Sequence, residues 1–154
     1  MKKKDVILLS HLRCAARATL TTLSKRTGLP VSTIYDRMNK YSLKKVPKYT
    51  ALLSFSDLGF STTAHIMLKV PKEKKVELIS HLAKSVFVNN LYKVNNGWDV
   101  LSECVFKDMC SLEEFVESLE LKFGVINKQV NYVLGEIKRE AFLADPDTAG
   151  YAFE

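Results

Sequence analysis

A group of side chains suited to directional hydrogen bonding lies between residues 32 and 40. It combines hydroxyl, phenol, carboxylate, amide and ammonium groups, contributed by Ser32, Thr33, Tyr35, Asp36, Asn39 and Lys40. Such side chains read base edges when an exposed helix carries them into the major groove of DNA, while Lys and Arg contact phosphates. The spacing of Ile34, Met38 and Tyr41 predicts this helix over residues 32–41, with a narrow stripe facing inward.

Several polar residues in and after this helix have two readings each. Asp36 either accepts a hydrogen bond from cytosine N4 or pairs with Lys40 four residues later. Arg37 either contacts a phosphate or braces the domain through an ion pair. After the helix, three further lysines either form a DNA-contacting wing or a solvated linker; they are Lys44, Lys45 and Lys48. A plain three-helix bundle with a solvated polar face remains the alternative to a DNA reader.

Residues with catalytic or metal-binding chemistry are sparse. His11 and Cys14 lie three residues apart on a predicted helix, but two ligands without a third do not make a metal site. His65 and His81 have no neighbouring Cys or carboxylate that suggests a catalytic triad, and there is no Gly-rich phosphate loop. We therefore expect no catalytic residue, no metal and no cofactor.

Cysteine usage and hydropathy indicate where the protein works. The three cysteines (Cys14, Cys104 and Cys110) match neither a disulfide framework nor a zinc site, which favours the reducing cytoplasm. The longest apolar run near the N-terminus covers only residues 6–9, far short of a membrane span or a signal peptide. We expect no membrane partner.

Charge is unevenly distributed along the 154 residues. Residues 1–50 contain twelve Lys or Arg against two Asp, a net charge of +10, whereas the whole chain carries only +6. The remaining residues therefore form a mildly acidic body. A basic head indicates a polyanionic partner, and double-stranded DNA is the one that fits the predicted third helix. Membrane-surface and ribosomal proteins share such basic heads, so charge alone does not decide between them.

The basic head has the element pattern of a helix-turn-helix. A first helix is predicted over residues 5–12. Thr19 is a candidate N-cap for a second helix, which Gly28 should end because glycine adopts the left-handed conformation without a Cβ clash. Pro30 then precedes the third helix.

The acidic body reads as strand, helix, strand, strand, helix, strand. Strands are predicted over residues 64–70, 91–94, 98–106 and 125–137. Asn95-Asn96-Gly97 predicts a type I′ hairpin between the middle two. The first helix should turn Val76, Ile79, Leu82 and Val86 to one side, and Ser111 with Glu114 fits a capping box that starts the second. This order predicts a ferredoxin-like sheet with both helices on one face. The strand over 98–106 is apolar on both faces. We therefore expect a second subunit to pack on the face of the sheet that the helices do not cover.

The chain as a whole matches one family pattern across residues 4–143. The matching residues are Asp5, Leu8, Leu9 and Leu12; Arg17, Thr19, Leu20 and Leu23; Gly28, Leu29, Ser32, Ile34 and Arg37; and Asp57, Leu58 and Gly59. Together they resemble the Lrp/AsnC transcriptional regulators. The resemblance implies an α+β architecture: an N-terminal (winged) helix-turn-helix joined by a linker strand to a ferredoxin-like βαββαβ sandwich. It also implies a sequence-specific DNA-binding regulator that forms homodimers and higher homo-oligomers, often octamers.

The resemblance further implies a small-molecule effector, commonly an amino acid, bound between sensing domains near the hairpin. The candidate residues are Asn96, Gly97, Trp98 and Asp99. Asn96 stands where the family usually has Gly, a modest departure since Asn also visits positive φ. Trp98 has the alternative role of plain interface core. The segment between Lys40 and Tyr49 is short and Lys-rich compared with the family's wing.

Four segments follow from these patterns. They are a DNA-binding head over residues 1–48, a linker strand and turn over 49–62, a sensing and oligomerisation domain over 63–143, and a loose tail over 144–154. Two other functions fit parts of the sequence. One is an architectural DNA-binding protein without an effector. The other is an Lrp-like enzyme of the sirohaem decarboxylase type, for which the body offers few His and Arg residues.

Overall fold

The computed structural model describes residues 3–42 and 45–153. The chain divides into two compact units. The head unit comprises Met1–Leu52 together with Ile137–Glu154, and the body unit comprises Leu53–Glu136. The C-terminal residues, expected to be a loose tail, thus belong to the same compact unit as the helix-turn-helix.

Three helices form the N-terminal part of the head unit: α1 (Lys3–Cys14), α2 (Leu20–Thr27) and α3 (Val31–Ser42). The predicted signals at α2 are confirmed. Thr19 Oγ1 accepts a hydrogen bond from the Thr22 N–H at 3.2 Å, and Gly28 ends the helix with φ of 66°. Their shared core consists of Leu8, Leu12, Leu23, Leu29, Ile34 and Tyr41.

The body unit consists of β1 (Thr62–Lys69), α4 (Lys75–Lys84), β2 (Val88–Lys93), β3 (Val100–Phe106), α5 (Met109–Phe123) and β4 (Asn127–Tyr132). The four strands form one antiparallel sheet in the order β2-β3-β1-β4. This is the predicted ferredoxin-like arrangement. Asn96 and Gly97 both have positive φ, 57° and 89°, as the predicted type I′ hairpin requires.

Alternation along the strands separates a buried face of the sheet from an open one. Buried residues on β1 and β3 are Thr62, Ala64, Ile66, Leu68, Val100, Ser102, Cys104 and Phe106. The apolar ones share a core with Leu78 and Leu82 of α4 and with five residues of α5: Leu112, Phe115, Val116, Leu119 and Phe123. The intervening residues Met67, Leu101 and Val105 are only half-buried. Within the described residues of the body unit, the sheet therefore has one face covered by α4 and α5 and one face that these helices leave open.

Three details of the body differ from the sequence prediction. The helix α5 is capped by Asp108, whose Oδ1 accepts from the Ser111 N–H at 2.8 Å, so Ser111 is not the N-cap. Of the residues predicted to face inward, Leu82 is buried and Ile79 packs against the core, but Val76 is exposed and Leu78 takes its place. Val86 is exposed because it lies beyond the end of α4 at Lys84. The last strand ends at Tyr132 rather than continuing to residue 137.

The linker strand and the wing are also absent from the described residues. Residues 46–54 have no regular secondary structure. A strand needs a neighbouring backbone to satisfy its N–H and C=O groups, and none pairs with this segment within the described residues of one chain. Residues 43 and 44 lie outside the described residues, so the prediction for Lys44 has no structural counterpart.

The C-terminal segment of the head unit packs against α1. A short 3₁₀ helix over Ala149–Phe153 contacts α1, and Ala149 is buried. Arg13 and Glu140 form an ion pair at 2.8 Å. Cys14 Sγ contacts the carbonyl oxygen of Ala144. These contacts explain why residues 137–153 are part of the head unit rather than a free tail.

Candidate nucleic-acid interface

The third helix presents its predicted polar side to solvent. Ile34 and Tyr41 are buried and Met38 is half-buried, as the stripe predicted. The opposite side carries Ser32, Tyr35, Asp36, Asn39 and Lys40, all exposed, and Thr33, which is half-buried. The side chain of Tyr35 is 57% exposed, a high value for an aromatic residue. This face combines donors, acceptors and an aromatic ring on a rigid element, as base reading requires.

The turn before α3 holds this helix in place. Ser24 Oγ donates to the carbonyl of Leu29 at 2.6 Å, and Thr27 Oγ1 donates to the carbonyl of Leu23 at 2.7 Å. Leu29 is buried in the head core. The Ser24 bond and the buried Leu29 side chain thus tie the turn to α2, whereas the Thr27 bond lies within α2. This role of Ser24 is not among those predicted from the sequence.

Arg37 braces the head rather than reaching outward. Its Nη1 lies 2.6 Å from Oδ1 of Asp5, joining α3 to α1, and the two side chains are only 25% and 17% exposed. Burial, followed by the neighbouring Asp5 carboxylate, raises the pKa of the Tyr41 hydroxyl well above its usual range. The structure therefore favours the ion-pair role for Arg37 over the phosphate role. The position of Asp5 in the sequence does not identify it as the ion-pair partner of Arg37.

The lysines after α3 remain available at the surface where they are described. Lys45 is exposed, and its Nζ lies 4.9 Å from the centre of the Tyr41 ring, a cation–π geometry. Lys48 is exposed as well. Residues 45–50 contain no strand, so within them these lysines extend from a loop rather than a wing.

The hairpin residues are placed differently from one another. Asn96 and Gly97 are exposed at the turn, and Trp98 is half-buried beside it. Asp99 faces inward: Oδ2 accepts from the Val70 N–H at 3.0 Å, and Oδ1 lies 2.5 Å from Nζ of Lys75. Burial acts to raise the pKa of the Asp99 carboxyl, but the bonds from Lys75 and Val70 outweigh it and leave the pKa lowered. Asp99 is thus already engaged within the body unit.

The described residues offer no metal site. No group of three or more His, Cys, Asp and Glu residues among them could hold an ion. Cys104 is buried, and burial raises the pKa of its thiol to about 11, which leaves it protonated and unreactive. None of the helices in the described part of the chain is both long and apolar enough to cross a bilayer.

Known proteins share both the sequence and the fold of this chain. The HTH-type transcriptional regulator FL11 of Pyrococcus horikoshii is 32% identical over 131 residues, which cover 84% of this chain and 87% of that protein. A transcriptional regulator from Neisseria meningitidis, crystallised as its L-Met complex, superposes with a TM-score of 0.84 at 26% identity. That match covers 90% of this chain and 93% of the other.

A third likeness concerns the fold alone. The structure of E. coli AsnC superposes with a TM-score of 0.80 at 15% identity, covering 90% of this chain and 95% of AsnC. No protein-family model matches the chain. The extent of the FL11 match and the shared two-part architecture nevertheless agree. The chain belongs to the Lrp/AsnC family of helix-turn-helix transcriptional regulators.

Proposed function

We propose that this DNA-binding regulator recognises its operator through the outward face of α3. The observation that supports this proposal is that one side of the helix is a buried apolar stripe and the opposite side is polar and exposed. Base contacts are assigned to Ser32, Thr33, Tyr35, Asp36 and Asn39. Contacts to the DNA backbone are assigned to Lys40, Lys45 and Lys48, and also to Lys44, which lies outside the described residues. Arg37 is assigned to positioning α3, because its guanidinium is held by Asp5.

We further propose a homodimer formed through the open face of the body sheet. Met67 and Leu101 are cross-strand neighbours on that face and are half-buried in the single chain. Tyr49 and Leu52 are about half exposed in the segment expected to form the linker strand, and the same segment of a second copy would supply the missing backbone partner. Larger assemblies, octamers included, would join such dimers.

A small-molecule effector completes the proposal. The Neisseria meningitidis relative was crystallised with L-Met, which suggests an amino acid as the ligand class. We place its site at the hairpin of Asn96, Gly97, Trp98 and Asp99, between two copies. Asp99 would act there by fixing the hairpin, since its carboxylate is bound to Val70 and Lys75. In this proposal the protein acts in the cytoplasm, where it binds DNA.

The test of α3 as the reading helix is duplex binding by fluorescence anisotropy over a salt series. Lys40→Ala should weaken binding to every sequence and lower the slope of log affinity against log salt by about 0.9, the value of one phosphate contact. Tyr35→Ala should instead relax the sequence preference at one or two positions, with about 1–3 kcal/mol of discrimination lost at each. Lys84→Ala, an exposed lysine of α4, is the matched control and should change neither.

Three outcomes would contradict the proposal. An unchanged sequence preference in Tyr35→Ala would place the reading face elsewhere on the head. Equal binding of the parent chain to a selected operator and to mixed-sequence DNA would instead indicate an architectural protein. Absence of any binding at low salt would contradict the DNA-binding role as a whole.

A further inference from the structure

The C-terminal segment places a carboxylate on an arginine at the end of α1. Arg13 Nη2 donates to both the backbone carbonyl and Oε2 of Glu140, each at 2.8 Å. A phosphate group would offer the same guanidinium two oxygen acceptors at similar distances. Glu140 therefore occupies Arg13 in the way that a nucleic-acid backbone would.

The segment carrying Glu140 is held by several contacts rather than by this pair alone. Ala149 is buried, Cys14 Sγ contacts the Ala144 carbonyl, and the 3₁₀ helix of the segment contacts α1. Asp145 organises the turn before that helix, since its carboxylate accepts from the Asp147 N–H at 3.0 Å and from Thr148 Oγ1 at 2.7 Å. The position of Glu140 is thus a built feature of the head unit.

Arg13 lies at a position where helix-turn-helix proteins commonly meet the DNA backbone. It is the penultimate residue of α1, and Arg17 is exposed in the loop that leads to α2. In three-helix DNA-binding heads such as homeodomains, the loop between the first two helices contacts phosphates. The two arginines add a basic group to this loop that is separate from the lysines at the end of α3.

The Arg13–Glu140 pair is weak enough to be exchanged. The two side chains are 38% and 57% exposed, and ion pairs at such exposure add little to stability because water competes for both partners. A phosphate brings the additional release of counterions from DNA. Competition between Glu140 and a phosphate for Arg13 therefore favours the phosphate at low salt.

We propose that Arg13 and Arg17 form a second DNA-backbone site, which Glu140 of the C-terminal segment covers in the free protein. DNA binding displaces Glu140 and frees Arg13. The inference depends on the proposed function, because it concerns the same DNA complex. It assigns to the segment the role of reducing non-specific affinity, since any duplex must first replace an internal carboxylate.

The first experiment removes the negative charge in the full-length protein. Glu140→Gln should bind a fluorescein-labelled duplex of mixed sequence more tightly than the parent chain, with a similar salt slope, because Arg13 contacts a phosphate in both complexes and only the internal pair is lost. Arg13→Ala should instead lower the slope by about 0.9, because it removes that phosphate contact from the complex. Glu114→Gln, an exposed residue of α5, removes the same charge from the body and should change nothing.

The second experiment asks whether the gain passes through Arg13. In the Arg13→Ala background, Glu140→Gln should give no gain, because the released guanidinium is no longer there. Equal affinity of the parent chain and Glu140→Gln for the duplex would overturn the inference. A gain that persists without Arg13 would overturn it as well, since Glu140 would then act only as a diffuse charge.

Duplex binding by the parent chain separates failure of the inference from failure of the proposed function. A parent chain that binds duplex while Glu140→Gln gives no gain in affinity would retain the proposed function and lose the inference. A chain that binds no duplex at low salt would lose both.

Discussion

Among single residues, Asp99 connects three segments of the body unit. Its carboxylate accepts from Val70 and Lys75, and its own N–H donates to the Leu68 carbonyl at 3.0 Å. Since Val70 is buried, loss of its acceptor leaves an unsatisfied donor away from water. The residue predicted as an effector contact is thus also a structural link between the hairpin, β1 and α4.

Replacement of Asp99 should therefore destabilise the protein without any effector present. We expect Asp99→Ala to lower the free energy of unfolding by about 2 kcal/mol and Asp99→Asn by about half as much, because Asn keeps an acceptor for Val70. Urea unfolding measures both. Because the folded-state pKa of Asp99 is lowered, its contribution is present above the usual carboxyl pKa and is lost as the pH falls through the folded value. An equal midpoint for all three chains at neutral pH would contradict this role.

Substitutions of Arg37 and Lys40, which stand three residues apart on α3, should have different effects: the first should reduce stability and the second should weaken DNA binding. Arg37→Ala breaks the half-buried pair with Asp5 and should reduce the stability of the head by about 2 kcal/mol. Lys40→Ala, at an exposed position, should leave stability unchanged. Thermal unfolding followed by circular dichroism distinguishes them. Equal stability of the two variants would return Arg37 to the phosphate-contacting group.

At the scale of elements, α5 shows how two capping patterns compete within a few residues. Asp108 in the structure caps the helix through the Ser111 N–H, whereas the sequence also offered Ser111 with Glu114. We expect Asp108→Ala to lower the urea midpoint and Ser111→Ala to leave it nearly unchanged. The hydrogen bond from Ser111 lowers the pKa of Asp108, so the effect of Asp108→Ala should fade as the pH drops through that pKa. The opposite ranking of the two variants would restore the predicted capping box.

The elements that could be predicted are those whose signals are local. Thr19 and Gly28 fixed the ends of α2 because a cap hydroxyl and a positive φ depend on a few neighbouring residues. The hairpin at Asn96 and Gly97 followed from the same kind of chemistry.

Features that depend on distant partners could not be predicted. The Asp5–Arg37 pair joins residues 32 positions apart, and the Arg13–Glu140 pair joins residues 127 apart. No periodicity encodes such pairs. The predicted linker strand does not form within the described residues of one chain for a related reason, because a strand is completed only by a neighbouring backbone.

At the scale of the whole molecule, we expect the open face of the body sheet to determine assembly. Met67→Glu places a carboxylate on the half-buried side of β1, opposite Leu101, and should convert a dimer to monomers because burying an unpaired charge is unfavourable. Sedimentation velocity measures the change in mass. Val76→Glu makes the same kind of change at an exposed position of α4 and should leave the dimer intact. A Met67→Glu chain that still forms dimers would place the interface elsewhere.

The three cysteines give the protein a built-in set of labelling positions. Cys104 is shielded in the body core with a pKa raised to about 11, whereas Cys14 and Cys110 are exposed. Cys14 belongs to the head unit and Cys110 to the body unit. Maleimide dyes should therefore attach at two positions in the folded protein, one on each unit, with no engineered cysteine. Energy transfer between those dyes would follow the separation of head and body when DNA or an amino acid is added.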